Sequence, residues 1–214
     1  MKLALIGATG FVGKAVLNEA LQRGYEVTAI ARNPQAAGIN NDKLKTVTAD
    51  IWDTDNLAAA LKGHDAVVSA FNAGWTNPNL YDDFLKGSEA IQQAVKQSGV
   101  KRLLVVGGAG SLYVAPGVQL VDSPQFPAEW KAGATAARDY LNILKKEDEL
   151  DWTFLSPAIN LHPGERTGKF RTGTDEPIFN DKGQHEITVE DLAVAILNEL
   201  ENNEFVKRRF TVGY

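Results

Sequence analysis

Three glycines, Gly7, Gly10 and Gly13, stand at even spacing inside the apolar run "LALIGATGFVGKAV". No histidine, cysteine or carboxylate stands in that run, so the chemistry on offer is chiefly that of the backbone. Where a buried strand hands over to a helix, the first helical N–H groups lack partners and the dipole end attracts negative charge. Glycine permits a tight turn at the first position, close approach of an anion at the second and close helix–strand contact at the third. The run predicts a pyrophosphate cradle made by Gly7, Thr9, Gly10, Phe11, Val12 and Gly13. An ATP-binding P-loop does not fit. Ala8 stands where its first glycine belongs, and Ala15 where a Mg²⁺-binding Ser or Thr is needed.

Arg32 follows nineteen residues after Gly13, at the end of the next apolar stretch. A carboxylate there would bind both ribose hydroxyls of NAD, whereas a guanidinium suits the 2′-phosphate of NADP. NADP(H) is therefore expected in preference to NAD(H), against the plainer reading of an exposed arginine before the Asn33-Pro34 turn. Further along, Ser111 offers a hydroxyl to a substrate carbonyl and Tyr113 a phenol, while Trp75 in "AGWTNPN" offers a ring for stacking. Trp130, Lys131 and His162 complete the polar and aromatic candidates for substrate contact. Two of these also have a structural reading, turn serine for Ser111 and packing for Trp75, while Tyr140 and Trp152 are assigned to the core.

These residues need a scaffold. Short apolar runs predict strands at 2–6, 25–30, 45–49, 65–70, 101–106 and 151–155, with helices at about 11–23, 55–62, 80–98 and 134–148 between them. "AVVSA" and "LLVV" lack polar alternation, as strands covered on both faces do. The alternation implies an α/β fold, a doubly wound parallel sheet of order 3-2-1-4-5-6 in a single domain spanning 1–214. Ligands of such a sheet bind at the strand carboxyl ends, after residues 6, 30, 49, 70, 106 and 155. Beyond 155 the chain is rich in Gly, Pro, Thr and charge, which reads as a substrate-side loop with room for a short hairpin. Thr188 and Asp191 then stand at capping-box spacing before an amphipathic helix, and "RRFTVGY" reads as a closing strand.

Composition narrows the classes. The chain has 214 residues, 44% hydrophobic and 23% charged, with a formal net charge of −5, which disfavours a nucleic-acid partner. No apolar run approaches the ~20 residues of a membrane span, so a cytoplasmic protein is expected. With no cysteine, disulfides and thiolate chemistry are excluded. The three histidines are scattered, so no metal site is expected, and the partner is a small-molecule substrate, with the chain a monomer or homodimer.

The spacing Gly7-x-x-Gly10-x-x-Gly13, with "GATG" inside it, resembles the extended and atypical short-chain dehydrogenase/reductases. "TAD" ending at Asp50 is similar to that superfamily's adenine contact, which implies that Asp50 accepts from the exocyclic amine while Ile51 covers the ring. "SAFNAG", with Ala70, Phe71 and Asn72, resembles the loop lining the nicotinamide-side ribose. "VVGGAGSL" occupies the place of the strand end that carries the family serine, Ser111. The resemblance is strongest to the NmrA-like and biliverdin-reductase-B-like branch, whose bacterial members are labelled NADH-flavin reductase or NAD-dependent epimerase/dehydratase.

One expected pair is missing. Most of that superfamily uses Tyr-x-x-x-Lys, in which the lysine lowers the phenol pKa for proton transfer. Four residues after Tyr25, Tyr81, Tyr113 and Tyr140 lie Ala29, Leu85, Gly117 and Leu144. Aligning the helix on Asp139 puts Lys131 and Thr135 at the pair's places. Alcohol–ketone chemistry needs that pair, but hydride transfer to a flavin or quinone ring does not. The expected activity is thus an NADPH-dependent reductase of a planar conjugated acceptor. An NADP(H)-sensing, non-catalytic NmrA-like regulator is the second reading and an epimerase or dehydratase the third.

Overall fold

The structure, a computed structural model, describes residues 1–33 and 38–214. The Pro34 half of the expected Asn33-Pro34 turn lies outside the described residues. Six parallel strands form the heart of the sheet: β1 (Lys2–Ile6), β2 (Glu26–Ala31), β3 (Leu44–Thr48), β4 (Ala66–Ser69), β5 (Arg102–Val106) and β8 (Asp151–Ser156). Their order is β3-β2-β1-β4-β5-β8, as the sequence pattern predicts. Two strands extend it beyond β8: β12 (Arg208–Gly213), parallel to β8, and β10 (Arg171–Gly173), antiparallel to β12.

Central strands bury both faces, which is why they read as unbroken apolar runs; all of Ala66–Ser69 and Arg102–Val106 is buried. On one face α1 (Phe11–Gln22) packs with α5 (Val189–Asn202). On the other lie α2 (Thr54–Leu61), α3 (Leu80–Ser98) and α4 (Ala128–Leu144). Tyr140 and Trp152 are buried in this second core, as the sequence reading assigns them. None of the described helices is long and apolar enough to cross a membrane.

Three expectations need correction. Helix α4 begins six residues earlier than the apolar pattern suggests, directly after Pro127, whose extended backbone and missing N–H keep the helix from starting sooner, and it ends at Leu144. The segment after 155 forms no hairpin of its own. Its β9 (Asn160–His162) pairs in parallel with β11 (Glu186–Thr188), and β10 joins the main sheet. The hairpin instead lies at β6 (Tyr113–Ala115) and β7 (Val118–Gln119), around a positive-φ glycine, Gly117. Finally, only half of the capping box forms. Thr188 Oγ1 accepts from the Asp191 N–H at 3.2 Å, but the Asp191 carboxylate is drawn to the preceding loop.

Candidate functional site

The glycine turn is built as the spacing implies. Gly7 has φ +79°, and a Cβ on it would meet the Ala70 carbonyl oxygen at 2.5 Å. A Cβ on Gly13 would lie 2.0 Å from the Gly7 carbonyl oxygen, so the first turn of α1 sits directly on the strand end. Gly10 differs: it is exposed, and an added Cβ would approach only the Gly7 carbonyl oxygen, at 3.4 Å. It stands at the start of α1 with no side-chain cap and no acidic residue in the first turn. An uncapped helix start with open space at its glycine is what a bound phosphate requires. Thr9 and Val12 are half-buried beside it, and Phe11 is exposed.

Backbone hydrogen bonds then string the strand ends into one crest. Ala49 N–H donates to the Ala31 carbonyl at 3.3 Å, Gly7 N–H to Ile30 at 3.1 Å, and Ala70 N–H to Ile6 at 2.9 Å. Along that line lie Asp50 and Ile51, then Arg32, then the glycine turn, then Ala70, Phe71 and Asn72. The structure thus brings together all the cofactor candidates named from sequence, across the switch between β1 and β4 where such sheets bind ligands. Arg32 and Asp50 are exposed; one Asp50 oxygen accepts from the Trp52 N–H at 3.1 Å, which fixes the turn after β3. Asn72 likewise accepts from the Gly74 N–H at 2.7 Å, setting the loop after β4.

Ser111 is placed differently from its expected role. It is 0% exposed, under the turn that follows β5. Its hydroxyl and its carbonyl both accept from Arg209 Nη1, and Gln119 Nε2 also donates to the carbonyl. The hydroxyl serves a buried guanidinium rather than an open cleft, so contact with a substrate carbonyl is not available to it as the protein stands. Tyr113, 36% exposed, starts β6 with the Arg209 guanidinium 5.8 Å from its ring centre. Arg209 also pairs with Asp175. Tyr113 thus lies partly open to solvent beside Arg209 of β12, four strands from β1 in the sheet order.

The remaining candidates scatter along the rim. Trp75 is 62% exposed on the loop after β4, with its ring edge against Gly133 of α4. Trp130 (50% exposed) and Lys131 (exposed) occupy the first turn of α4. His162 ends β9, and its Nδ1 lies 3.0 Å from the Pro163 carbonyl oxygen.

The loop after His162 is pinned by Asp191, in place of its capping-box bond, and by Arg166, which no motif announces. Asp191, fully buried, accepts from Thr167 N–H (2.8 Å), Gly168 N–H (2.7 Å), the Thr167 hydroxyl and the Tyr214 hydroxyl. Arg166 reaches the buried carboxylate of Glu19 on α1 through Nε at 2.6 Å and Nη2 at 2.9 Å. The Arg166 bond, working against burial, holds the Glu19 carboxyl below its usual range, with Arg23 adding to it. Between this loop and α1 runs a groove of about 460 Å³, bordered by Thr9, Gly10, Phe11, Pro163 and Arg166.

Four phenols are shifted upward, toward the neutral form. Tyr25 is pushed up by burial and by Glu201, Tyr81 by its 2.8 Å bond to Asp139, and Tyr140 and Tyr214 chiefly by burial. An activated phenol would be shifted the other way.

Comparison with known proteins gives the family. A model of the NAD(P)H-binding family matches residues 7–203. The chain belongs to the NAD(P)H-binding family. It is 40% identical over 215 residues to the Bacillus subtilis protein YwnB, covering 99% of this chain and 98% of that one. Among solved structures, a Bacteroides thetaiotaomicron protein provisionally named an epimerase superposes with TM-score 0.93 at 48% identity, over 100% of this chain and 96% of that one. A Streptococcus pneumoniae protein provisionally named an NADH-flavin reductase gives 0.84 at 36% identity, over 100% and 99%. These likenesses accord with an atypical short-chain dehydrogenase/reductase, an NAD(P)-binding Rossmann protein of oxidoreductase type.

Proposed function

We propose that this protein is an NADPH-dependent reductase that passes hydride to a planar conjugated acceptor of the flavin or quinone type. The observation that carries the reading is an open, uncapped glycine turn on the same crest as a loop bearing an exposed indole, Trp75. The crest residues fit a dinucleotide. Phe11 and Val12 would offer backbone N–H groups to the pyrophosphate beside the open Gly10, whose own N–H is spent on the Gly7 carbonyl, and Asp50 and Ile51 would bound the adenine. Exposed Arg32 would meet a 2′-phosphate, which favours NADPH over NADH. When bound, the nicotinamide supplies the hydride.

What remains for the chain is to orient the two rings and keep water from between them. Trp75 offers a face for the acceptor, and Phe71 and Asn72 border the nicotinamide side. No activated acid is required, since a flavin or quinone accepts hydride into its ring and takes its proton from solvent. The Streptococcus pneumoniae neighbour's name accords with this chemistry. Epimerisation, as in the Bacteroides thetaiotaomicron neighbour's name, needs an acid–base pair, and this chain has Lys131 and Thr135 at those places.

The test is NADPH oxidation against FMN, riboflavin, 2-methyl-1,4-naphthoquinone and simple ketones, with a control lacking acceptor. Turnover of the planar acceptors and not of the ketones is expected. Tight NADPH binding with no turnover of any acceptor would overturn the reductase reading and leave the NADP(H) sensor.

A further inference from the structure

Helices α3 and α4 each carry a glycine beyond their first turn, and at each a side chain from the crest lies where a Cβ would be. At Gly87 in α3, a Cβ would meet Phe71 Cε1 at 2.7 Å and Ile51 Cδ1 at 2.8 Å. At Gly133 in α4, a Cβ would meet Trp75 Cζ3 at 2.9 Å and Leu80 Cδ2 at 3.2 Å. Glycine is a poor residue for a helix interior, because it loses the most backbone freedom on folding. Neither glycine has the positive φ that would require it. Space explains both: each is a notch that receives a ring.

The two rings come from one segment, the loop after β4. Phe71 follows Ala70, whose carbonyl touches Gly7, and Phe71 also stacks on Phe84 with ring centres 5.9 Å apart and planes 17° apart. Ile51, the other occupant of the Gly87 notch, follows β3. One notch therefore sets side chains from both halves of the dinucleotide crest. The other sets Trp75 alone among the crest residues.

We propose that Gly87 and Gly133 are positioning residues of the binding crest, Gly87 setting the dinucleotide through Phe71 and Ile51, and Gly133 setting the acceptor through the Trp75 indole. This rests on the reductase reading for the acceptor half only; the Gly87 half needs dinucleotide binding alone. A methyl group at either notch displaces its ring while improving the intrinsic helix propensity of the site. A purely structural role would change stability and leave ligand affinities alone. A positioning role separates the two glycines by ligand.

The experiment uses the full chain. NADPH affinity is followed by the reduced nicotinamide's fluorescence, FMN affinity by quenching of flavin fluorescence, and folding by thermal melts. Gly133→Ala should weaken FMN at least 5-fold and leave NADPH within 2-fold of wild type. Gly87→Ala should weaken NADPH at least 5-fold. Adding Gly133→Ala to Trp75→Ala should cost no further FMN affinity, since the seat has no ring to hold. If an alanine variant does not fold, Phe71→Ala and Trp75→Ala, which take the rings out of the notches without a clash, should show the same division. Wild-type affinities in both glycine variants would overturn the proposal, as would equal losses of both ligands in each. FMN binding without NADPH oxidation would remove the reductase reading and leave the Gly133 arm readable. A wild-type protein that binds no FMN would overturn the acceptor half.

Discussion

The Cβ that Gly13 lacks would lie 2.0 Å from the carbonyl oxygen of Gly7, whereas the Cβ that Gly10 lacks would come no closer than 3.4 Å to that oxygen. Two glycines three residues apart in one motif therefore answer to different demands. Gly13→Ala forces backbone against backbone and should prevent folding. Gly10→Val meets no such barrier. It should cost only ~1 kcal/mol as a poorer helix start, yet it should abolish NADPH binding by filling the space a phosphate needs. Circular dichroism and nucleotide titration on both variants check this. A folded Gly10→Val protein with normal affinity would move the pyrophosphate elsewhere.

On the proposed reading, Arg32 is the residue that selects NADPH over NADH. Arg32→Ala should weaken NADPH about 30-fold or more, the worth of a charge-assisted contact of ~2 kcal/mol, and hardly alter NADH. Competition binding of the two dinucleotides reads both numbers. Equal losses would remove the 2′-phosphate contact.

Ser111 is enclosed, so its removal should be felt in stability before rate. Ser111→Ala takes one acceptor from the buried Arg209 guanidinium, leaving the Ser111 carbonyl in place. Urea unfolding should show a loss of ~1.5 kcal/mol, and kcat should stay within about 10-fold of wild type. A fall of 100-fold in kcat at unchanged stability would return Ser111 to the reacting centre.

His185 gives the protein a weakness to mild acid. Burial holds its imidazole below the ordinary value of 6.5, against the pull of the Val212 carbonyl. A group whose folded pKa is depressed binds a proton more readily when unfolded, so stability falls as pH drops below about 6.5. The neutral ring also accepts from the Ile159 N–H at 3.4 Å, which a protonated ring could not do. Melting temperature should decline between pH 7.5 and 5.5, and His185→Gln should flatten that decline. The depressed carboxyls of Glu19, Glu147 and Glu201 act lower, below about 4.5. An unchanged slope in the variant would assign the acid response to other groups.

Local pattern is enough for the doubly wound sheet and the glycine turn. Buried parallel strands must be apolar on both faces, and a backbone phosphate cradle must be glycine at set intervals, so both leave their mark on short stretches of chain. The crest follows from strand order, which the alternation of elements already implies. Ser111 is another matter. Its hydroxyl's partners Arg209 and Ser156 lie 98 and 45 positions away, so only the packed chain decides that it faces inward. The same holds for Arg166 on Glu19, for Asp191 abandoning its half of the capping box, and for Gly87 and Gly133. A glycine inside a helical stretch looks like a flaw until the ring that fills its notch arrives from another segment. Contacts made at long range by single side chains carry no periodicity and no spacing, and it is these that set the rim of the site.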